Sequence, residues 1–338
     1  MLGFTYYTPT KVAFGKGSVE RVGELMKQFG GTRVLIHYGG QSAVRSGVLD
    51  RVKKSLDEAG IFHVELGGVV PNPHLAKVRE GIELSKANGV DFLLAVGGGS
   101  VIDSCKAIAY GLAEPEHDVW ELYAGQRKAK ACFPVASVLT IAAAGSEMSN
   151  SCVITNTDTE EKRAYDDDLA RPKFAIMDPE LTMTLPDYQT EAGCADIMMH
   201  TMDRYFNPLE NELTDAIAEA LLRTVIAQGR IAVKNPEDYD SMSELMWAGS
   251  LSHNGLTGLG GMKDFAVHQL GHELSAMFDT AHGASLATVW GSWAKTVYQT
   301  KPSRFARFAR NVWGIAEADD TKAALSGIDK TVAFFRSI

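Results

Sequence analysis

The chemistry of this chain starts with two residues four positions apart. Asp196 and His200 lie in Glu191-Ala192-Gly193-Cys194-Ala195-Asp196-Ile197-Met198-Met199-His200, a stretch whose pattern predicts a helix. An i, i+4 spacing puts their carboxylate and imidazole on one helix face. Such a pair suits a first-row divalent ion, although taken alone it is more often a hydrogen bond on a helix surface than a metal site. A second group follows in Phe265-Ala266-Val267-His268-Gln269-Leu270-Gly271-His272-Glu273-Leu274 and Ala281-His282-Gly283, in a chain with only nine histidines. His268 and His272 again share a face, and His282 comes after a break at Phe278-Asp279-Thr280. In HQLGHE the glutamate follows the second histidine, so the HExxH arrangement of a zinc protease is absent. Asp196, His200, His268, His272 and His282 are thus five candidates for the four places of a nitrogen and oxygen site fitting Fe²⁺, Zn²⁺ or Mn²⁺. A histidine left outside the set could carry protons near neutral pH. His253 reads as a surface or core residue.

Two glycine turns suggest a second ligand. Gly97-Gly98-Gly99-Ser100 follows the apolar run Phe92-Leu93-Leu94-Ala95-Val96 and precedes a predicted helix. Backbone N–H groups and a helix dipole can hold a pyrophosphate at such a place, and glycines allow its close approach. GGGS is also an ordinary tight turn, and the strict GxGxxG fingerprint is missing. Asp103 is compatible with the phosphate-site reading or with a simple first-turn acid favoured by the dipole. Gly39-Gly40-Gln41-Ser42 ends another apolar run, where dinucleotide folds read the adenosine ribose. No acid stands there to accept from the ribose hydroxyls or repel a 2′-phosphate, which favours NADP(H) over NAD(H).

The elements that must position these groups fall into two textures. Strands are predicted at 34–38, 92–96, 133–139 and 174–177, with helices at 42–59, 74–88 and 100–112, the alternation of a parallel sheet covered on both faces. After Asp178 the apolar spacing becomes helical, as in the stripe Leu213, Ile217, Leu221 and Val225. A boundary near residue 185 therefore divides an α/β dinucleotide-binding domain with a parallel sheet, 1–185, from an all-α metal-binding domain, 186–338. Two domains suit 338 residues. A formal charge of -9 without basic runs disfavours nucleic acid as a partner. No apolar stretch is long enough to span a bilayer, and the N-terminus has no signal-peptide pattern. Four scattered cysteines with no CxxC pair fit reduced thiols and a cytoplasmic location.

Taken together, Gly97-Gly98-Gly99-Ser100-Val101-Ile102-Asp103, Ala144-Gly145-Ser146-Glu147, Met177-Asp178-Pro179 and the histidine set resemble the iron-containing, group III alcohol dehydrogenases. The likeness is greatest to their butanol dehydrogenase and NADPH-dependent aldehyde reductase branch. It extends from Phe14-Gly15-Lys16-Gly17 to the C-terminus. The resemblance implies a metal held by Asp196, His200, His268 and His282, with His272 as a catalytic proton carrier near the nicotinamide. It implies cofactor contacts at Gly39, Gly40, Ser42, Asn72, Gly98, Gly99, Ser100, Thr140 and Lys162. By composition alone, Lys162 in Glu160-Glu161-Lys162-Arg163 is a solvated charge run. The implied activity is interconversion of primary alcohols and aldehydes with NAD(P)H, in a homodimer by family analogy. A glycerol dehydrogenase-like polyol oxidoreductase and a dehydroquinate synthase-like lyase share the architecture; a non-catalytic nucleotide-binding relic is the alternative from another class. Two features depart from the family. Thr140-Ile141-Ala142-Ala143-Ala144 lacks some of the usual hydroxyls, and the chain ends before the last helices of typical members.

Overall fold

The strands are β1 (Lys11–Phe14), β2 (Arg33–Tyr38), β3 (Phe62–Leu66), β4 (Phe92–Gly97), β5 (Val135–Leu139), β6 (Ser151–Asn156), β7 (Glu161–Asp166) and β8 (Phe174–Met177). The structure is a computed structural model describing residues 1–338. Six strands pair in parallel in the order β1-β8-β5-β4-β2-β3, and β6 and β7 form an antiparallel hairpin. β4 and β8 are buried at every residue, so their sequences are continuous apolar runs. The helices of this part are α1 (Val22–Gln28), α2 (Gln41–Arg45), α3 (Val48–Glu58), α4 (Leu75–Asn88), α5 (Gly99–Ala113) and α6 (Trp120–Tyr123). Leu25, Met26, Val52 and Leu56 from the helices pack with Val34, Ile36, Phe92, Leu94, Val138 and Ile176 from the sheet into one buried cluster.

The single helix expected over 42–59 is two helices, because Gly47 takes a left-handed φ of 75° and caps α3. Strands β1 and β3 and the β6–β7 hairpin are additions to the sequence reading. β1 and β3 are the edges of the sheet, with only one buried residue each, and β7 carries Glu161, Lys162 and Arg163 at its start.

One topological detail positions the glycine turns. The chain runs from β2 outward to β3, then returns to lay β4 on the other side of β2. Tyr38 pairs with Val96 across that junction. Gly39-Gly40 and Gly97-Gly98-Gly99 therefore leave neighbouring strand ends at a switch in strand order, where open α/β sheets bind ligands.

The rest of the chain is helical: α7 (Asp187–Tyr205), α8 (Glu212–Ala232), α9 (Tyr239–His253), α10 (Ala266–Phe278), α11 (His282–Val297), α12 (Pro302–Trp313) and α13 (Asp320–Phe335). By backbone proximity, one compact unit comprises Tyr7–Ile141 and Ser146–Thr184, and the other Leu185–Ile338 with the short segments Met1–Tyr6 and Ala142–Gly145. Within the helical unit α7 is the central element, buried at almost every residue from Gly193 to Tyr205. Beside it, Arg304 is buried in a two-pronged ion pair with Asp215, stacked on the Tyr205 ring at 3.8 Å. A buried guanidinium is tolerable only with partners of this kind. No helix is long and apolar enough to cross a membrane.

Candidate metal centre and cofactor turns

α7 presents Asp196, His200 and Asp203 at i, i+4 and i+7, all buried. α10 contributes His268, and α11 begins with His282. Glycines let these helices approach one another. A Cβ on Gly283 would collide with the Ala192 carbonyl of α7, and one on Gly271 would come within 2.6 Å of Leu286 on α11. The resulting approach brings one ligand atom each of Asp196, His268 and His282 to within 4.8 Å of one another. His268 Nε2 and His282 Nε2 stand 4.0 and 3.9 Å from Asp196 Oδ1. His200 is outside that mutually close trio, but its Nε2 is 3.3 Å from the same oxygen. A tetrahedral ion with bonds of about 2.0–2.2 Å separates its ligand atoms by roughly 3.3–3.6 Å, so the set is near the spacing required.

The donor chemistry tests that fit. His268 Nδ1 lies 2.6 Å from Asp203 Oδ2, which also accepts from the His268 backbone N–H. A carboxylate accepts, so Nδ1 carries the proton and Nε2 bears the lone pair. That Nε2 is buried with no hydrogen-bond partner, and it faces an Asp196 oxygen. Two acceptors turned toward each other in a buried site repel unless a cation lies between them. Burial, with the neighbouring imidazoles and the Arg204 guanidinium adding to it, also holds His200 well below its usual pKa, in the neutral form a metal requires.

The remaining histidines extend this array. The His272 ring is 5.2 Å from that of His282 and 6.4 Å from that of His268. His253, read from the sequence as a surface or core residue, stacks its ring on His200 with centroids 3.9 Å apart. Asp203 and His253 are the two neighbours that sequence reasoning missed. The i+7 step from Asp196 could have revealed Asp203, whereas nothing in the sequence marks His253.

In the α/β unit, Gly98 caps α5, and Gly99 and Ser100 open it. A Cβ on Gly98 would collide with the Ile141 side chain, so a larger residue here would have to displace it. The Thr140 N–H donates to the Gly97 carbonyl, which sets Thr140 beside the same turn. Gly40 caps α2, with Gly39 before it and Ser42 in its first turn. Asn72, with a left-handed φ of 55°, accepts from Lys162 Nζ at 2.8 Å. The lysine read from composition as part of a charge run is therefore partly buried against another expected cofactor residue. Asp103 fits neither earlier reading alone. Its carboxylate accepts from Ser146 Oγ at 2.6 Å and from the Val153 N–H at 2.9 Å. Lys106, fully buried one turn on, donates to the carbonyls of Ser146 and Ser151 at 2.8 Å each. Burial raises the Asp103 carboxyl pKa and lowers that of the Lys106 ammonium, while their mutual attraction opposes both shifts. The pair ties α5 to Ser146 and to the start of β6. None of the four cysteines forms a disulfide.

Comparison with known proteins agrees with this geometry. A family model described as iron-containing alcohol dehydrogenase matches residues 9–179, and one for the C-terminal part of the Fe-containing alcohol dehydrogenase family matches 190–338. The chain is 43% identical to NADH-dependent butanol dehydrogenase A of Clostridium acetobutylicum, a match covering 100% of this chain and 87% of the relative. It is 38% identical to the NADPH-dependent aldehyde reductase YqhD of Escherichia coli, again covering 100% and 87%. The crystal structure of NADH-dependent butanol dehydrogenase A from Thermotoga maritima superposes with a TM-score of 0.97 at 39% identity, covering 99% of this chain and 84% of that one.

Proposed function

Since the chain belongs to the iron-containing alcohol dehydrogenase family, we propose that it interconverts primary alcohols and aldehydes with NADP(H), using one divalent ion held by Asp196, His200, His268 and His282. Fe²⁺ and Zn²⁺ are the ions best suited to this donor set, with Mn²⁺ third. Oxidoreduction between alcohol and aldehyde with a nicotinamide cofactor follows from relatives 38 to 43% identical over the whole chain. The observation that carries the metal assignment is the Nε2 lone pair of His268 facing the Asp196 carboxylate in a buried site.

When bound, the cation supplies Lewis acidity to the substrate oxygen, and the nicotinamide gives or takes the hydride. The protein's own residues do the rest. Asp196 offsets part of the ionic charge, and Asp203 fixes the tautomer and plane of His268. His272, with its ring next to that of His282, is assigned the proton exchanged with the substrate oxygen at one of its ring nitrogens. For the cofactor we assign the phosphates to Gly98, Gly99, Ser100 and Thr140, with Asn72 and Lys162 as further contacts. The adenosine end falls to Gly39, Gly40 and Ser42. Preference for NADP(H) is supported by the absence of any acidic side chain from Gly39 to Ser42. Four free cysteines support a cytoplasmic location, and a homodimer is proposed by analogy with the family. The test is a rate screen over straight-chain aldehydes of increasing length with NADPH and NADH in parallel. Turnover of short aldehydes with higher kcat/KM for NADPH is expected. Turnover of glycerol but no aldehyde, or preference for NADH, would overturn the corresponding part of the assignment.

A further inference from the structure

His200 differs from its neighbour His268 in how it is oriented. Metal-binding imidazoles ordinarily give their second nitrogen to a carboxylate or carbonyl, which fixes the ring. His268 does this with Asp203, whereas His200 Nδ1 is buried with no hydrogen-bond partner. The final torsion of a histidine side chain is broad, so a ring without such a partner can turn away from the ligating plane. Something else must hold it.

We propose that His253 is a positioning residue for the metal: it clamps the His200 ring in the plane from which that ring ligates. The inference rests on the metal assignment made above. Three observations carry it. The His253 ring lies against His200 with centroids 3.9 Å apart and planes inclined by only 23°. The His268 ring lies 4.3 Å away at 31°, so His200 is confined by two imidazoles. His253 is itself anchored, with Nδ1 2.5 Å from the Ala144 carbonyl oxygen. A carbonyl only accepts, so Nδ1–H is the donor, and this bond sets both the tautomer and the plane of the clamp.

The anchor is rigid for reasons visible in the packing. Ala144 belongs to the segment Ala142–Gly145. Gly145 has a left-handed φ of 63° and fits so closely on α9 that an added Cβ would collide with the Gly249 carbonyl and lie 2.8 Å from His253 Cβ. Gly193 of α7 likewise leaves no space for a side chain against the Ala142 carbonyl. The segment is therefore held against both α7 and α9, and its Ala144 oxygen is a fixed point. A ligating imidazole also gives up electron density to its ion, and the π face of the ring stacked on it stabilises the resulting partial positive charge. An aliphatic side chain would supply neither the face nor the anchor.

The test uses the full chain stripped with a chelator and titrated with Co²⁺, read by visible absorption and by competition with a chromogenic chelator. Variants are H253L, H253F and H253N. The parent should bind Co²⁺ with the d–d bands of a low-coordinate site. H253L should bind about 10- to 100-fold more weakly with altered bands, as loss of an outer-sphere partner does. H253F restores the ring face without the Ala144 anchor and should recover part of the affinity; H253N keeps a donor for Ala144 without the face and should stay weak. Parent-like affinity and bands in both H253L and H253N would overturn the proposal, as would equal losses of thermal stability in all three with unchanged bands. If H253L does not fold, equal Co²⁺ affinity in H253F and H253N overturns it. A parent that binds no Co²⁺ overturns the metal assignment itself, a result distinguishable from failure of the clamp alone.

Discussion

Replacing Asp203 with asparagine should loosen the metal without touching a ligand. The carboxylate sits 2.6 Å from His268 Nδ1 and 3.2 Å from the His268 backbone nitrogen. A hydrogen bond to a charged group of this kind contributes about 1.5–3 kcal/mol. In D203N the amide oxygen stays in place, because the His268 backbone N–H donates to that same atom, and Nδ1–H now faces a neutral acceptor in place of a charged one. The Nε2 lone pair, 4.0 Å from Asp196 Oδ1, is then less electron-rich and its ring less firmly held, so it ligates more weakly. Loss of an outer-sphere partner costs about 10- to 100-fold in metal affinity, equivalent to about 1.4–2.7 kcal/mol. Chelator competition with Zn²⁺ or Co²⁺ on parent and variant gives the ratio, and thermal unfolding of both metal-free proteins separates folding from binding. A D203N protein with the parent's dissociation constant would refute the reasoning, since His268 would then need no carboxylate to present its lone pair.

Three further outcomes follow from the same geometry. Gly39→Asp should move coenzyme preference toward NADH: a Cβ there meets nothing nearer than 3.5 Å, so the new carboxylate is accommodated and repels a 2′-phosphate. The ratio of kcat/KM values for the two coenzymes should change by about tenfold or more, and an unchanged ratio contradicts the ribose assignment. Gly283→Val should destabilise the helical unit by about 1–3 kcal/mol or abolish folding, because its Cβ collides with backbone that cannot turn aside; denaturant unfolding measures this. His37 is buried, bonded to the Leu66 carbonyl and Ser104 Oγ, and burial lowers its pKa from 6.5 to about 4. Its neutral form is favoured in the folded state, so its contribution is complete above pH 6.5 and is lost as pH falls through 4. The loss approaches roughly 3 kcal/mol, and H37Q should flatten that part of the stability curve in urea titrations at pH 7 and 4.5.

How far the sequence reveals this molecule depends on which forces act at each place. Phe92–Val96 and Phe174–Met177 are legible because strands buried on both faces must be apolar throughout. The edge strand Phe62–Leu66 and the start of β7 at Glu161-Lys162-Arg163 are not, because half-exposed or charged segments carry no such signature. The break at Gly47 depends on a left-handed φ that a glycine permits but does not announce. At the proposed metal centre the pair on α7 is visible through helical spacing. The choice among five candidate groups is not, since it depends on which helices approach across Gly271 and Gly283. His253 is out of reach for the same reason: its role is set by stacking on a residue 53 positions away in sequence (253 − 200).

Metal stoichiometry and NADPH-linked aldehyde reduction, measured on the same preparations of the parent and H268A, address the metal centre most directly. The parent should carry a single divalent ion per chain and turn over. H268A should lose both together while remaining folded. Full NADPH-linked turnover in H268A, or in the parent after its metal has been stripped, would contradict a reaction that depends on the ion held by Asp196, His200, His268 and His282.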